Sequence, residues 1–264
     1  MSASLDDILT STPTGTPGQF TCEVRDGWQA GRGAFGGLVL GILTRAITDT
    51  VGDATPMRSL TAAIPAPVEV GATDVEVRIV RVGSALTTVT AELRQGGEVR
   101  ALATAVCAKA RASATQWRTE ARPAAPPWQD VPVAPFVPGM SPPFTRYLPY
   151  RLVGPMPFSR SSTAAFLGYV DGPAARRDAA WLVAMADAYY PAAQVVFGAP
   201  RPTATSTFTM EFIEPLTDDD LDAPVLVHAR CPAAYAGYAF ETRELWGQSG
   251  QLLARNHQTF VVIK

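Results

Sequence analysis

Lysine is almost missing from this chain: among 22 basic residues only Lys109 and Lys264 are lysines, and 24 acidic residues bring the net charge to -2. Without a surplus of positive charge there is no electrostatic footprint for nucleic acid, and no run of like charge marks an anionic membrane or polyanion as a partner. Cysteine is scarce too. Cys22, Cys107 and Cys231 are odd in number, far apart and free of any CxxC pair, which argues against a disulfide framework or a zinc site and for buried thiols in a cytoplasmic protein. The only histidines are His228 and His257, and no GxSxG occurs, so the nucleophile elbow of α/β-hydrolases is excluded on pattern. No apolar run approaches the roughly 20 residues that span a bilayer. The opening stretch "MSASLDDILTSTPTGTPGQF" lacks a basic segment followed by an apolar one, so neither signal peptide nor membrane anchor is expected there.

What the chain does have is length and apolar content, 264 residues at 47% hydrophobic, enough for one large core or two small ones. It also repeats itself. "RSLTAAIPAP" (58–67) superimposes on "STFTMEFIEP" (206–215), with Leu60 on Phe208, Thr61 on Thr209, Ile64 on Phe212 and Pro67 on Pro215. Both are followed by period-two alternation, by glycine-containing turns at Gly96-Gly97 and Ser249-Gly250, and by a final β-rich segment. Alternation with such turns reads as antiparallel hairpins.

Ahead of each strand set stands one apolar helix candidate: "FGGLVLGILTRAITDT" (35–50) and "WLVAMADAYYPAA" (181–193), the second expected to stop at Pro191. The halves are expected at 1–112 and 146–264, joined by a Pro/Ala-rich connector at 113–145 in extended form. An antiparallel sheet wrapped round a central helix explains a helix apolar on nearly every face. The expected fold is therefore α+β, a tandem or double hot-dog. Further pairing through an outer sheet face or edge strand, giving a homo-oligomer, is compatible with that layout.

If the halves are duplicates, their differences point to function. Counting eighteen residues back from Thr205 reaches Asp187, while the same count from Met57 reaches Val39; the final strands set Gln258 against Ala105. An acid, a hydroxyl and an amide thus stand where the first half is apolar. A carboxylate can take a proton from water while a Gln carbonyl and a Thr hydroxyl orient that water toward an acyl carbonyl. Strict alternation, however, puts Thr205 on the face opposite Phe208, Met210 and Phe212, so either the strand is irregular at its start or Ser206 supplies the hydroxyl. "GRGAFGG" opens the first helix, where free N–H groups favour negative charge. It also matches GxGxxG, but hairpins follow where a dinucleotide site needs βαβ.

These pieces together resemble the double hot-dog acyl-CoA thioesterases of the thioesterase II group. The matching residues are Phe35, Gly36 and Gly37, the Asp of "MADAYYP", the Thr ten residues before the Pro of "TSTFTMEFIEP", and the Gln of "LLARNHQTF". The resemblance implies hydrolysis of an acyl thioester by water held at Asp187, Thr205 and Gln258. It implies CoA as part of the substrate, no metal and no redox cofactor. Phe35, Gly36, Gly37, Tyr189 and Tyr190 are the candidate substrate-binding residues, the tyrosines either packing on the sheet or lining an acyl tunnel. One departure is the absence of the family's His-rich run in "STFTMEFIEP". The rival expectations are an acyl-CoA-binding scaffold without turnover and an enoyl-CoA hydratase or dehydratase. The latter wants a His soon after the acid on the helix, and none follows Asp187.

Overall fold

The computed structural model describes residues 4–263. In the first half a short helix α1 (Leu5–Leu9) precedes β1 (Thr12–Pro13), β2 (Gln19–Val24) and a two-rung hairpin of β3 (Gln29–Ala30) and β4 (Gly33–Ala34). The long helix α2 (Gly36–Val51) and strands β5 (Met57–Ala63), β6 (Gly71–Val82), β7 (Leu86–Gln95) and β8 (Glu98–Ala108) follow. The second half repeats the plan with β9 (Tyr150–Gly154), β10 (Ala165–Val170), α3 (Ala179–Asp187), β11 (Thr203–Phe212), β12 (Val225–Tyr235), β13 (Tyr238–Trp246) and β14 (Leu252–Val262). Twelve strands form one sheet in the order β1-β2-β6-β7-β8-β5-β11-β14-β13-β12-β10-β9, and its pairings are antiparallel.

At the centre β5 pairs with β11, Leu60 opposite Met210, Thr61 opposite Thr209 and Ala62 opposite Phe208. The sequence repeat already equates Thr61 with Thr209 and Leu60 with Phe208. Thr61 therefore faces its own counterpart, and Leu60 and Ala62 each face the counterpart of the other, as a two-fold axis through the Thr61–Thr209 pair demands. The chain is a dimer in one polypeptide, with no free sheet edge at the junction.

The helices lie on the concave side. Every residue of α2 from Gly37 to Ile47 is buried, because the sheet, α1 and α3 enclose it. Glycines let α3 approach closely: a Cβ on Gly37 would stand 2.8 Å from the Ala184 carbonyl oxygen, and one on Gly41 3.3 Å from that of Ala180. Facing strands carry small residues for the same reason, with Ala101, Ala103, Ala105 and Cys107 of β8 all pointing inward and buried. Asp178 caps α3 by accepting from the Ala180 and Trp181 amides. Its carboxylate also meets the buried Arg45 of α2 at 3.2 Å, tying the two helices together.

Two expectations change. The second helix ends at Asp187, not Pro191, and Pro191 instead opens a separate 3₁₀ turn at Ala192–Val195. Val39 sits in the first turn of α2 and Asp187 at the end of α3, so the two helices are not superimposed over their lengths. The connector between β8 and β9 contains 3₁₀ turns at Trp128–Asp130 and Pro143–Tyr147 and lies on the second half's outer face. There Tyr169 donates to the Pro126 carbonyl at 2.7 Å, Glu120 pairs with Arg255, and Trp128 and Val131 pack with Trp246, Leu226 and Leu252. Each half is a sheet curled round a helix, and the whole is a double hot-dog.

Candidate active site

Three elements converge on one point inside the second half. Asp187 closes α3 and is 8% exposed, Gln258 lies in mid-β14 at 3%, and Thr205 is near the start of β11. The Thr205 hydroxyl lies 3.4 Å from Asp187 Oδ1 and 3.4 Å from Gln258 Oε1. These are long separations for an O–H donor, so its proton is committed to neither acceptor.

The parity question is answered by an irregularity in β11. Its register with β14 shifts between Thr205 and Thr207, leaving Ser206 unpaired there, with its carbonyl accepting from the Ile64 amide. The extra residue returns Thr205 to the face of Phe208 and Met210. The hydroxyl at the carboxylate is therefore that of Thr205. β5 carries the same shift between Met57 and Ser59, so Met57 is indeed the counterpart of Thr205. The pairings Phe208–Gln258 and Leu60–Ala105 likewise make Ala105 the counterpart of Gln258.

Burial pushes the Asp187 carboxyl up to about 6. Opposing this are the positive charge of Arg243, the Gly37 amide donating toward it, and the side chains of Gln258 and Thr205. Although Asp187 ends its own helix, its carboxylate lies at the N-terminus of the other one, where the dipole favours negative charge. Gly36 makes room: a Cβ there would lie 2.6 Å from Asp187 Oδ2. The glycine turn was expected to offer free amide donors, but the Gly37 amide is already directed at the acid.

Profile models of protein families match this chain along nearly its whole length. The acyl-CoA thioesterase N-terminal domain matches residues 9–115 and the C-terminal domain residues 120–262. The chain belongs to the acyl-CoA thioesterase family. Among solved structures, this family member is similar to a hot-dog protein of unknown function from Alicyclobacillus acidocaldarius, at 27% identity and TM-score 0.89, covering 100% of this chain and 99% of that one. It is also similar to an acyl-CoA thioesterase II from Mycobacterium marinum, at 20% identity and TM-score 0.79, with 98% of each chain covered. A search of curated proteins returns no match.

In this thioesterase-family chain two buried residues near the trio escaped the sequence reading. Arg243 of β13 is fully buried. It donates to the carbonyls of Ala186 and Tyr190, at 2.7 and 3.4 Å, and pairs with the equally buried Glu241 at 2.7 Å. It thus caps the C-terminus of α3 and supplies the charge that tempers Asp187. Asn256 of β14 accepts from Gln258 Nε2 at 2.8 Å and donates to the Thr209 carbonyl at 2.9 Å. Its in-phase spacing, two residues before Gln258, was the available signal. For Arg243 only an unusual charge in an alternating strand could have served.

The candidate substrate-binding residues part company. Gly36 and Gly37 adjoin Asp187, while the buried Phe35 ring stacks on Phe144 at 4.2 Å. Tyr189 is 3% exposed and donates to the Tyr169 carbonyl at 2.7 Å, and Tyr190 donates to that of Pro155 at 3.1 Å. Both rings pack on Phe166, bracing the segment after α3. Among the described residues no group of three or more His, Cys, Asp or Glu is placed to hold a metal ion, and no helix is long and apolar enough to cross a membrane.

Proposed function

We propose that this protein hydrolyses an acyl-CoA to the free acid and CoA, with water activated by Asp187, Thr205 and Gln258. The observation that carries the reading is a count of hydrogen-bonding groups. Two acceptors, Asp187 Oδ1 and Gln258 Oε1, face one hydroxyl proton, that of Thr205. A water in that triangle donates one hydrogen to each acceptor and receives the Thr205 hydroxyl, leaving one lone pair for the thioester carbon. As the C–O bond forms, Asp187 takes a water proton. The C–S bond then breaks, and that proton passes to the departing thiolate. An acid with a pKa near 6 is suited to both transfers at neutral pH. The Gly36 end of α2 is the proposed seat of the developing oxyanion. The three free cysteines support a reducing, cytoplasmic setting.

The test is thiol release from short, medium and long acyl-CoAs by wild type, Asp187→Asn and Gln258→Ala. Turnover in wild type that collapses in both variants is expected. Release indifferent to both changes overturns the reading, and acyl-CoA binding without any release would instead favour a non-hydrolytic binding protein.

A further inference from the structure

We propose that Asn256 is a positioning residue that holds the Gln258 side-chain amide in the single orientation presenting its carbonyl oxygen to the site. The inference deepens the thioesterase reading above and rests on it. Gln258 can present either end of its amide, and the two ends do opposite things. Oε1 toward Thr205 accepts a hydrogen from water while Nε2 helps hold the Asp187 carboxylate ionised, whereas the flipped amide would put a donor at Thr205 and an oxygen toward the carboxylate.

Packing around Gln258 alone does not choose between the ends, because the amide is nearly symmetric in shape. The choice comes from one step further back. The Asn256 Nδ2 group lies 2.9 Å from the Thr209 carbonyl oxygen, which accepts only, so Nδ2 must face it and Oδ1 must face the other way. That Oδ1, 2.8 Å from Gln258, can only accept, so Gln258 Nε2 must face it, and Oε1 is left pointing at Thr205. The polarity runs from a backbone carbonyl at the pseudo-two-fold axis to the candidate reacting water. Asn256 is wholly buried, so no solvent competes for either end. In the first half the counterpart of Asn256 is Ala103, which pairs with Ala62 as Asn256 pairs with Met210. The relay is absent there together with the trio, and that half shows that the fold accepts alanine at this place.

The measurement is a ¹³C-carboxyl NMR titration of Asp187, assigned through Asp187→Asn, alongside kcat and KM for thiol release in wild type and Asn256→Ala. The other groups facing this carboxyl are Arg243 from β13, Tyr150 from β9, the Gly37 amide from α2 and the Thr205 hydroxyl from β11, and they are common to both proteins. Without Asn256, Gln258 is free to turn Nε2 away from the carboxylate that it helps to hold ionised. The Asp187 midpoint is then expected to rise by about one unit, toward that of Gln258→Ala, and kcat to fall by about ten- to a hundredfold, with KM little changed. In the double variant Asn256→Ala/Gln258→Ala the midpoint is expected to match that of Gln258→Ala alone.

A second readout needs only wild type: of the two Gln258 side-chain NH₂ resonances, the one that faces Asn256 should scarcely move as Asp187 titrates, while the other follows the carboxyl. An unchanged midpoint and kcat in Asn256→Ala, or NH₂ resonances that both follow the carboxyl equally, overturn the inference. If Asn256→Ala shifts the midpoint while no acyl-CoA is cleaved by wild type, the orientation stands and the hydrolase reading fails. If cleavage depends on Asp187 and Gln258 but not on Asn256, the reverse holds.

Discussion

At Asp187 two opposing influences meet on one carboxyl: burial, which favours the neutral acid, and Arg243 with the Gly37 amide, which favour the anion. Burial wins and leaves it near 6. Under the proposed mechanism the anion is the active form. We therefore expect kcat/KM for thiol release to fall as pH drops through about 6, measured as a pH–rate profile on a short acyl-CoA. The same shift has a stability sign. A folded-state pKa raised from 3.8 to about 6 means the native state holds the proton more tightly than the unfolded chain does. Stability is thus lost as pH rises through that interval, by up to about 3 kcal/mol above it. Asp187→Asn is accordingly expected to abolish hydrolysis while raising the melting temperature at pH 8. That gain should shrink at pH 4.5, as thermal unfolding at the two pH values will show.

Among the elements, the decisive meeting is between the end of α3 and the start of α2. Gly36 has no room for a methyl group, since its Cβ would lie 2.6 Å from Asp187 Oδ2 and 3.3 Å from Ile64 Cδ1. We expect Gly36→Ala to displace the carboxylate, costing about 1–3 kcal/mol by overpacking and at least about tenfold in kcat, read by denaturant unfolding and thiol release. Arg243 governs the same junction from β13. Arg243→Met leaves Glu241 buried without its partner and the Ala186 carbonyl uncapped, with an expected loss of about 3–5 kcal/mol. Because a positive charge is removed, the acid limb of the pH profile should move above that of wild type. Adding Glu241→Gln should restore much of the stability but not the limb, which separates the structural from the electrostatic part.

For the whole molecule, the consequence of duplication is that neither half is complete. β5 and β11 are each other's neighbours at the centre of the sheet, and α2 and α3 pack in contact. A fragment of residues 1–115 would expose the β5 edge and one side of α2. Because Thr61 pairs with its own counterpart, the same fragment can pair β5 with β5 of a second copy. We expect light scattering to show dimers or larger assemblies and no monomer. Such a dimer carries Met57 and Ala105 in place of Thr205 and Gln258, so it should release no thiol.

Much of this was legible in the sequence. The repeat, its register, the alternating strands and the apolar helices are local patterns, each written in a few consecutive residues and enforced by burial of one face. Their register was enough to align Gln258 with Ala105 and Thr205 with Met57, and so to find the trio. What only the tertiary structure decided depends on groups distant in the chain. A one-residue bulge returns Thr205 to the inner face, where strict alternation would have placed it outside. The acid at the end of α3 finds the N-terminus of α2, from the other half of the chain, and so shares the glycine amide once expected to be free. Arg243 and Asn256 act through the carbonyls of Ala186 and Thr209. Hydrogen-bond direction at a buried carbonyl leaves no period or composition in the sequence, because it is set by which backbone group the fold brings within reach.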